Sequence, residues 1–176
     1  MKIGILTSSR ADFGIYIPLL KLLKQDSCIN LEIIAFGTHL SKQHGYTVSE
    51  IEALNFMRLH KISTIPDSDL PQSIAESIGK TIKIFSHFWN KNCFDLVFCL
   101  GDRYEMFAAV SASVPFNVDI AHIHAGETTL GAIDNSFRHA ISLFSKILFV
   151  TNDQYKKRAL SIVDNNVKVY NVGALS

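Results

Sequence analysis

Short β-branched and aliphatic runs alternate along this chain with longer segments whose apolar positions recur every three or four residues. That alternation is the pattern of a parallel sheet assembled from βαβ units, its strands buried on both faces. Residues 2–7 (KIGILT) read as a first buried strand and residues 8–14 as a polar turn. Ile15, Leu19, Leu22 and Leu23 then keep a helical period over residues 15–24, and Pro18 is expected near that helix's start, where its missing N–H costs little. A second strand covers 31–36 and ends in Gly37-Thr38-His39. Residues 41–54 are weakly helical, 57–60 form a short strand, and Pro66-Asp67-Ser68-Asp69 makes a loop with capping character. Between Pro71 and Lys91 the residues Ile74, Ile78, Ile82, Phe85 and Trp89 mark a long amphipathic helix. The remainder reads as strand 95–100, helix 103–113, strand 118–123, helix 133–144, strand 147–150, helix 153–160 and strand 167–169. The expected fold is α/β, a doubly wound, mostly parallel sheet of six or seven strands.

Composition narrows the class. The 176 residues suit one domain, with 48% hydrophobic and 19% charged residues. A net charge of +1, without a basic run interleaved with aromatics, argues against nucleic acid as a partner. The three cysteines (Cys28, Cys93 and Cys99) are odd in number and lack CxxC spacing, and Cys99 lies in an apolar strand, so they read as buried, reduced thiols of a cytoplasmic protein. The apolar run 3–6 is too short for a signal peptide, and no stretch is long enough to span a bilayer. Phe85, Phe88 and Trp89 offer a homo-oligomer interface on the long helix, although packing on the chain's own sheet is the preferred reading.

Ligands of such sheets sit beyond the carboxyl ends of the strands, near the switch point in strand order. Arg10, Asp12, Thr38, His39, Asp102, Arg103, His122, His124, Glu127 and Asp134 all fall at or just past strand ends. The turn after the first strand lacks GxGxxG, which disfavours a conventional dinucleotide site. Arg10, at a helix mouth, suits an anion. Taken alone, Asp102 reads as the N-cap of helix 103–113, and Glu105 as a complement to that helix's dipole. His122 and His124, two apart on a strand, should send both rings from one face. Gly126 permits a tight turn or close ligand approach, and Asp134 and Arg138 have the spacing of a structural salt bridge. Together Asp102, Glu127, Asp134 and the two histidines suggest acid–base work, because crowded carboxylates push their pKa values apart. A metal site built on His122, His124 and Asp102 is the rival reading.

SSRADFG, GTHLS, GDRYEM, HIHAGETTLGAIDNSFRHAIS and NVGA occur in that order over almost the whole chain. In these motifs the sequence resembles the hydrolysing branch of the UDP-N-acetylglucosamine 2-epimerases. The resemblance implies the N-terminal Rossmann-like half of a two-domain GT-B-type fold. Residues 1–170 would form that domain, 171–176 would begin the interdomain linker, and a C-terminal nucleotide-binding domain would be absent. It implies conversion of UDP-GlcNAc and water to N-acetylmannosamine and UDP through a 2-acetamidoglucal, in making sialic or legionaminic acid-type sugars, or else binding of such a nucleotide sugar without turnover. Asp102 and Glu127 would be the acid–base pair at C2, with Asp134 assisting water or sugar orientation. Arg10 and Arg103 would lie near the diphosphate, and His39, His122, His124, Arg138 and His139 would contact or support the sugar. No metal or other cofactor is required. Ala125 stands where the family usually has glycine, and its methyl is expected to narrow the site.

Overall fold

The computed structural model describes residues 1–55, 58–64, 70–129 and 133–175. Seven parallel strands form one sheet in the order β3-β2-β1-β4-β5-β6-β7. They are β1 (Lys2–Thr7), β2 (Asn30–Phe36), β3 (Arg58–Ile62), β4 (Leu96–Leu100), β5 (Ile120–Ile123), β6 (Ile147–Val150) and β7 (Lys168–Asn171). The helices are α1 (Arg10–Gln25), α2 (Val48–Ala53), α3 (Pro71–Lys91), α4 (Tyr104–Ser111), α5 (Asp134–Phe144) and α6 (Asp153–Ile162). Strand order reverses between β1 and β4, the position at which a doubly wound sheet opens a crevice.

Two cores follow from the period-2 alternation of strands buried on both sides. On one face Ile3, Ile5, Ile33, Phe98 and Ile123 meet Phe13, Tyr16 and Leu20 of α1. On the other, Leu6, Ile34, Val97, Cys99 and Ile120 meet α3, α4 and α5 through Phe85, Trp89, Met106 and Ile141. The Trp89 indole also donates to the Ala109 carbonyl at 3.1 Å, which ties α3 to α4. Phe85 and Trp89 are thus buried against the chain's own sheet. Of the three thiols expected to be buried only Cys99, inside β4, is; Cys28 and Cys93 lie outside the strands and are exposed, and all three are free. Among the described residues no helix is long and apolar enough to cross a membrane.

Several local expectations change. The polar turn after β1 is mostly the first turn of α1: the Ser9 hydroxyl accepts from the Asp12 N–H, and the Asp12 carboxylate accepts from Ser9 N–H. This reciprocal capping starts the helix five residues early. Pro18 consequently lies in the helix interior and forgoes a hydrogen bond there. The weakly helical stretch 41–54 contracts to α2. The short strand runs from Arg58 to Ile62, with Met57 outside the described residues, as is the loop 66–69. Helix α4 begins at Tyr104 with Arg103 as N-cap, so Asp102 does not cap it.

Candidate active site

Three loops leave the sheet at the carboxyl ends of β4, β5 and β6, and they converge on one side chain of α5. Gly101, at φ +80, turns the chain sharply after β4 and presents Asp102. The loop after β5 presents Glu127, and Thr151 follows β6. Arg138, with a side chain only 7% exposed, joins them. Its Nη2 ion-pairs with the Asp102 carboxylate, and its Nη1 donates to Glu127 Oε2 at 3.3 Å and to the His124 carbonyl at 2.9 Å. The Thr151 hydroxyl donates to the other Glu127 oxygen at 3.0 Å. Two carboxylates and one guanidinium therefore occupy a partly shielded site, where Coulomb interactions are stronger than at an open surface.

The cluster is not internally satisfied. Five buried side-chain polar atoms among the described residues lack a partner within the protein, and three of them, His124 Nε2, Arg138 Nε and His139 Nδ1, lie here. Native interiors satisfy nearly all such atoms, so their concentration at one sheet edge makes this a candidate functional site. His124 is also held at φ +63, a left-handed conformation uncommon for a side-chain-bearing residue, with Nδ1 3.6 Å from Glu127. Burial, reinforced by the nearby Arg158 and Arg138 charges, lowers the pKa of His139.

The two histidines of the β5 region part company. Strand β5 ends at Ile123, so the alternation rule does not carry to His124. His122 is fully buried, and its Nε2–H donates to the Gly101 carbonyl at 2.8 Å. A carbonyl only accepts, so the neutral ring carries its proton on Nε2, and Nδ1 lies 3.0 Å from the Ser142 hydroxyl, which donates to the Arg138 carbonyl at 3.0 Å. Burial drives the His122 pKa down to about 3, keeping the ring neutral. The residue is a strut between the β4 turn and α5. With its proton on Nε2 and Nδ1 turned into the core against Ser142, the ring is held within the protein, which argues against the metal-site reading. Among the described residues no group of three or more His, Cys, Asp or Glu is placed to hold a metal ion.

The other candidates lie apart from the cluster. The expected Asp134–Arg138 bridge is not formed, because Arg138 turns to Asp102 and Glu127. Asp134 lines a separate cavity with Arg103. Arg103 is itself engaged by Glu105, at 2.8 Å from Nη2 and 3.2 Å from Nε. Glu105, expected to complement the helix dipole, does lie in the first turn of α4 and is fully buried. Arg10 is exposed and pairs with Glu50 at 3.1 Å. His39 is buried between the Thr7 and Thr47 hydroxyls, at 2.9 and 2.8 Å, and burial lowers its pKa. Like His122, it braces the edge from inside.

Two expectations about the loop after β5 are corrected. Ala125 is fully buried with Leu148, Val150 and Ala159, so its methyl fills the core under α6 and does not narrow the site. Gly126, at φ +72, is required by α6: a Cβ there would meet the Tyr155 carbonyl oxygen at 2.4 Å. Sequence reasoning also missed Thr151 and Arg158. Arg158 donates to Thr128 Oγ1 at 2.9 Å and to the Gly126 carbonyl at 3.3 Å, fastening the loop to α6. Thr151 directly follows strand 147–150, so the strand-end rule was sufficient to find it; Arg158 carries no such signal.

Comparison with known proteins bears on the family and the fold. The family model for UDP-N-acetylglucosamine 2-epimerase matches residues 21–176. A Campylobacter jejuni protein named GDP/UDP-N,N'-diacetylbacillosamine 2-epimerase (hydrolyzing) is 37% identical over 175 residues, 99% of this chain and 45% of that protein. A Legionella pneumophila UDP-N,N'-diacetylbacillosamine 2-epimerase (hydrolyzing) is 35% identical over 173 residues, 98% of this chain and 46% of that protein. The chain thus spans about half the length of the curated relatives it matches. Among solved structures, the Neisseria meningitidis UDP-GlcNAc 2-epimerase bound to UDP-GlcNAc shares the fold at a TM-score of 0.80 and 20% identity, covering 99% of this chain and 46% of that one.

Proposed function

The chain belongs to the UDP-N-acetylglucosamine 2-epimerase family, and on that premise we propose that it is the N-terminal half of a hydrolysing sugar-nucleotide 2-epimerase. Its substrate is UDP-GlcNAc or a related nucleotide sugar, bound between residues 1–170 and a second domain entered through 171–176. The observation that carries this reading is the meeting of Asp102 and Glu127 on Arg138 at the carboxyl edge, beside three unpartnered polar atoms.

Asp102 and Glu127 are the acid–base pair at C2. A carboxylate takes the C2 proton, the C–H electrons form the C1=C2 bond of 2-acetamidoglucal, and the C1–O bond breaks with its electrons leaving on UDP. Water then adds, its hydroxyl to C1, and a proton returns to the other face of C2 to give N-acetylmannosamine. Positioned acid–base groups of this kind contribute about 10²–10⁴-fold. Arg138 fixes both carboxylates in place. Asp134 assists water or the sugar, and Arg103 and Arg10 lend positive charge toward the departing diphosphate. His39 and His122 support the site from beneath, while His124 and His139 offer unpartnered nitrogens to the sugar.

The experiment is to incubate UDP-GlcNAc with this chain, alone and joined to a C-terminal epimerase domain, and to measure UDP and N-acetylmannosamine. Equal release of both by the two-domain protein is expected. Binding without release in that protein would leave a sugar-nucleotide-binding domain instead.

A further inference from the structure

Glu127 is anchored far more heavily than Asp102. Among the described residues the Asp102 carboxylate meets one partner, Arg138, and it follows Gly101, where an added Cβ would meet nothing. Glu127 is held from three elements. Arg138 of α5 donates to Oε2 at 3.3 Å, and Thr151, just past β6, donates to Oε1 at 3.0 Å. From α6, Arg158 Nη1 donates to the Gly126 carbonyl at 3.3 Å and to Thr128 Oγ1 at 2.9 Å. The residue before Glu127 and the residue after it are thus fastened to one guanidinium nitrogen.

The start of α6 is built for this grip. Asn152 caps the helix, its side chain accepting from the Tyr155 N–H at 2.9 Å, which fixes where the first turn begins. Thr151 immediately precedes that cap, and Arg158 stands three residues beyond Tyr155 on the same side of the helix. The Tyr155 carbonyl closes over Gly126, and the Ala125 N–H donates to the Phe149 carbonyl at 3.2 Å, so the loop leans on β6 and α6 along its length. His124, at φ +63, is backbone of the kind that persists only where its surroundings over-determine it. Proton transfer at carbon needs the carboxylate oxygen within hydrogen-bond reach of its target, and about 1 Å of misplacement costs about 10²-fold. We propose that Thr151 and Arg158 are positioning residues for proton transfer by Glu127: Thr151 orients its carboxylate, and Arg158 fixes the loop that carries it. Both act through Glu127. The proposal rests on the epimerase reading for the reaction that Glu127 performs.

Two measurements test it, the first on this chain alone. Burial, then the charge of Arg158, then that of Arg138 lower the pKa of His139. Arg158→Met should therefore raise the His139 titration midpoint read by NMR. It should also speed amide exchange at residues 126–128 by about 10-fold or more, the loss of a charge-assisted hydrogen bond. The second measurement uses the chain joined to a C-terminal epimerase domain and supplied with UDP-GlcNAc. Thr151→Val and Arg158→Met should each lower kcat by about 10²-fold while KM stays within about threefold of wild type. Thr151→Ser, which restores the hydroxyl, should bring kcat back to within about threefold. Thr151→Val is nearly isosteric, so it keeps the test open should Arg158→Met unfold. Wild-type kcat in Thr151→Val, a Thr151→Ser variant as slow as Thr151→Val, or a loss confined to KM would overturn the positioning role. Unchanged loop exchange in a folded Arg158→Met would overturn the clamp itself. Turnover by the wild type with equal rates in the variants sinks the positioning role alone. No turnover by the wild type, with the loop freed in Arg158→Met, keeps the clamp and sinks the epimerase reading.

Discussion

Two charged clusters sit at opposite edges of the same sheet, and they are built differently. At the amino edge Glu32, 2% exposed, is ringed by His60 at 2.7 Å, Lys2 at 3.3 Å and Arg58 at 3.7 Å. Three cationic or hydrogen-bonding partners surround one carboxylate, and Lys2 and Arg58 keep contact with water. At the carboxyl edge the ratio is reversed, with one guanidinium serving two carboxylates among nitrogens that have no partner. The amino-edge cluster is complete within the protein. The carboxyl-edge cluster is incomplete in the way a binding site is, which is why buried charge alone is a poor marker of function and unsatisfied buried charge a better one.

Removing the shared cation should break the contrast most severely. Arg138→Leu leaves Asp102 and Glu127 facing each other without their counter-charge, and the unfolding free energy should fall by about 3–5 kcal/mol. Urea titration of the chain measures it, and a loss below about 1 kcal/mol would show that the bridge organises nothing. Gly126→Ala sharpens the same edge through the backbone. Its new Cβ meets the Tyr155 carbonyl in a left-handed conformation, so a loss of about 2 kcal/mol is expected, read from the same titration.

Glu32→Gln tests the other edge. Lys2 and Arg58 can turn to solvent, so stability should drop by only about 1–2 kcal/mol, and catalysis in the two-domain protein should stay within twofold of wild type. A large catalytic loss there would erase the distinction between the edges. The smallest effect is expected at Arg10→Ala, where an exposed pair with Glu50 is worth less than about 0.5 kcal/mol.

Acid separates the edges by pH window. Burial tends to raise the Glu32 carboxyl, but hydrogen bonds from His60 and Lys2 outweigh it and hold the pKa below its ordinary value. A depressed carboxyl stabilises the fold above its unfolded pKa, and that contribution disappears as pH falls through the folded value. For His122 the unfolded chain takes up a proton near pH 6.5 that the native ring refuses until about 3, so stability drops steadily between those values. Unfolding curves should therefore slope from about pH 6.5 downward, and His122→Gln should flatten the upper part of that slope while leaving the Glu32 window below it.

Much of this was legible in the residues, for reasons that also explain the misses. Buried parallel strands declare themselves as continuous apolar runs, so β1, β4 and β6 were readable, and the carboxyl-edge rule singled out Asp102 and Glu127. The Ser9–Asp12 spacing already carried a capping signal that the polar composition of 8–14 obscured. Arg138 was misassigned because helical spacing puts Asp134 beside it, whereas tertiary structure brings Asp102, 36 residues away, into reach. His122 and His124 look equivalent in the sequence and differ only because the strand ends between them. Ala125 and Gly126 answer to the close approach of α6, a contact that no local pattern encodes.

Deuterium incorporation tests the central claim most directly. The chain, joined to a C-terminal epimerase domain, is supplied with UDP-GlcNAc in D₂O, and the N-acetylmannosamine formed is analysed at C2. Solvent deuterium should appear at that carbon in every product molecule, and Asp102→Asn and Glu127→Gln should each slow its formation by about 10²–10⁴-fold. Product that retains its original C2 hydrogen, or full-speed turnover in both variants, would contradict the assignment of these two carboxylates to proton transfer.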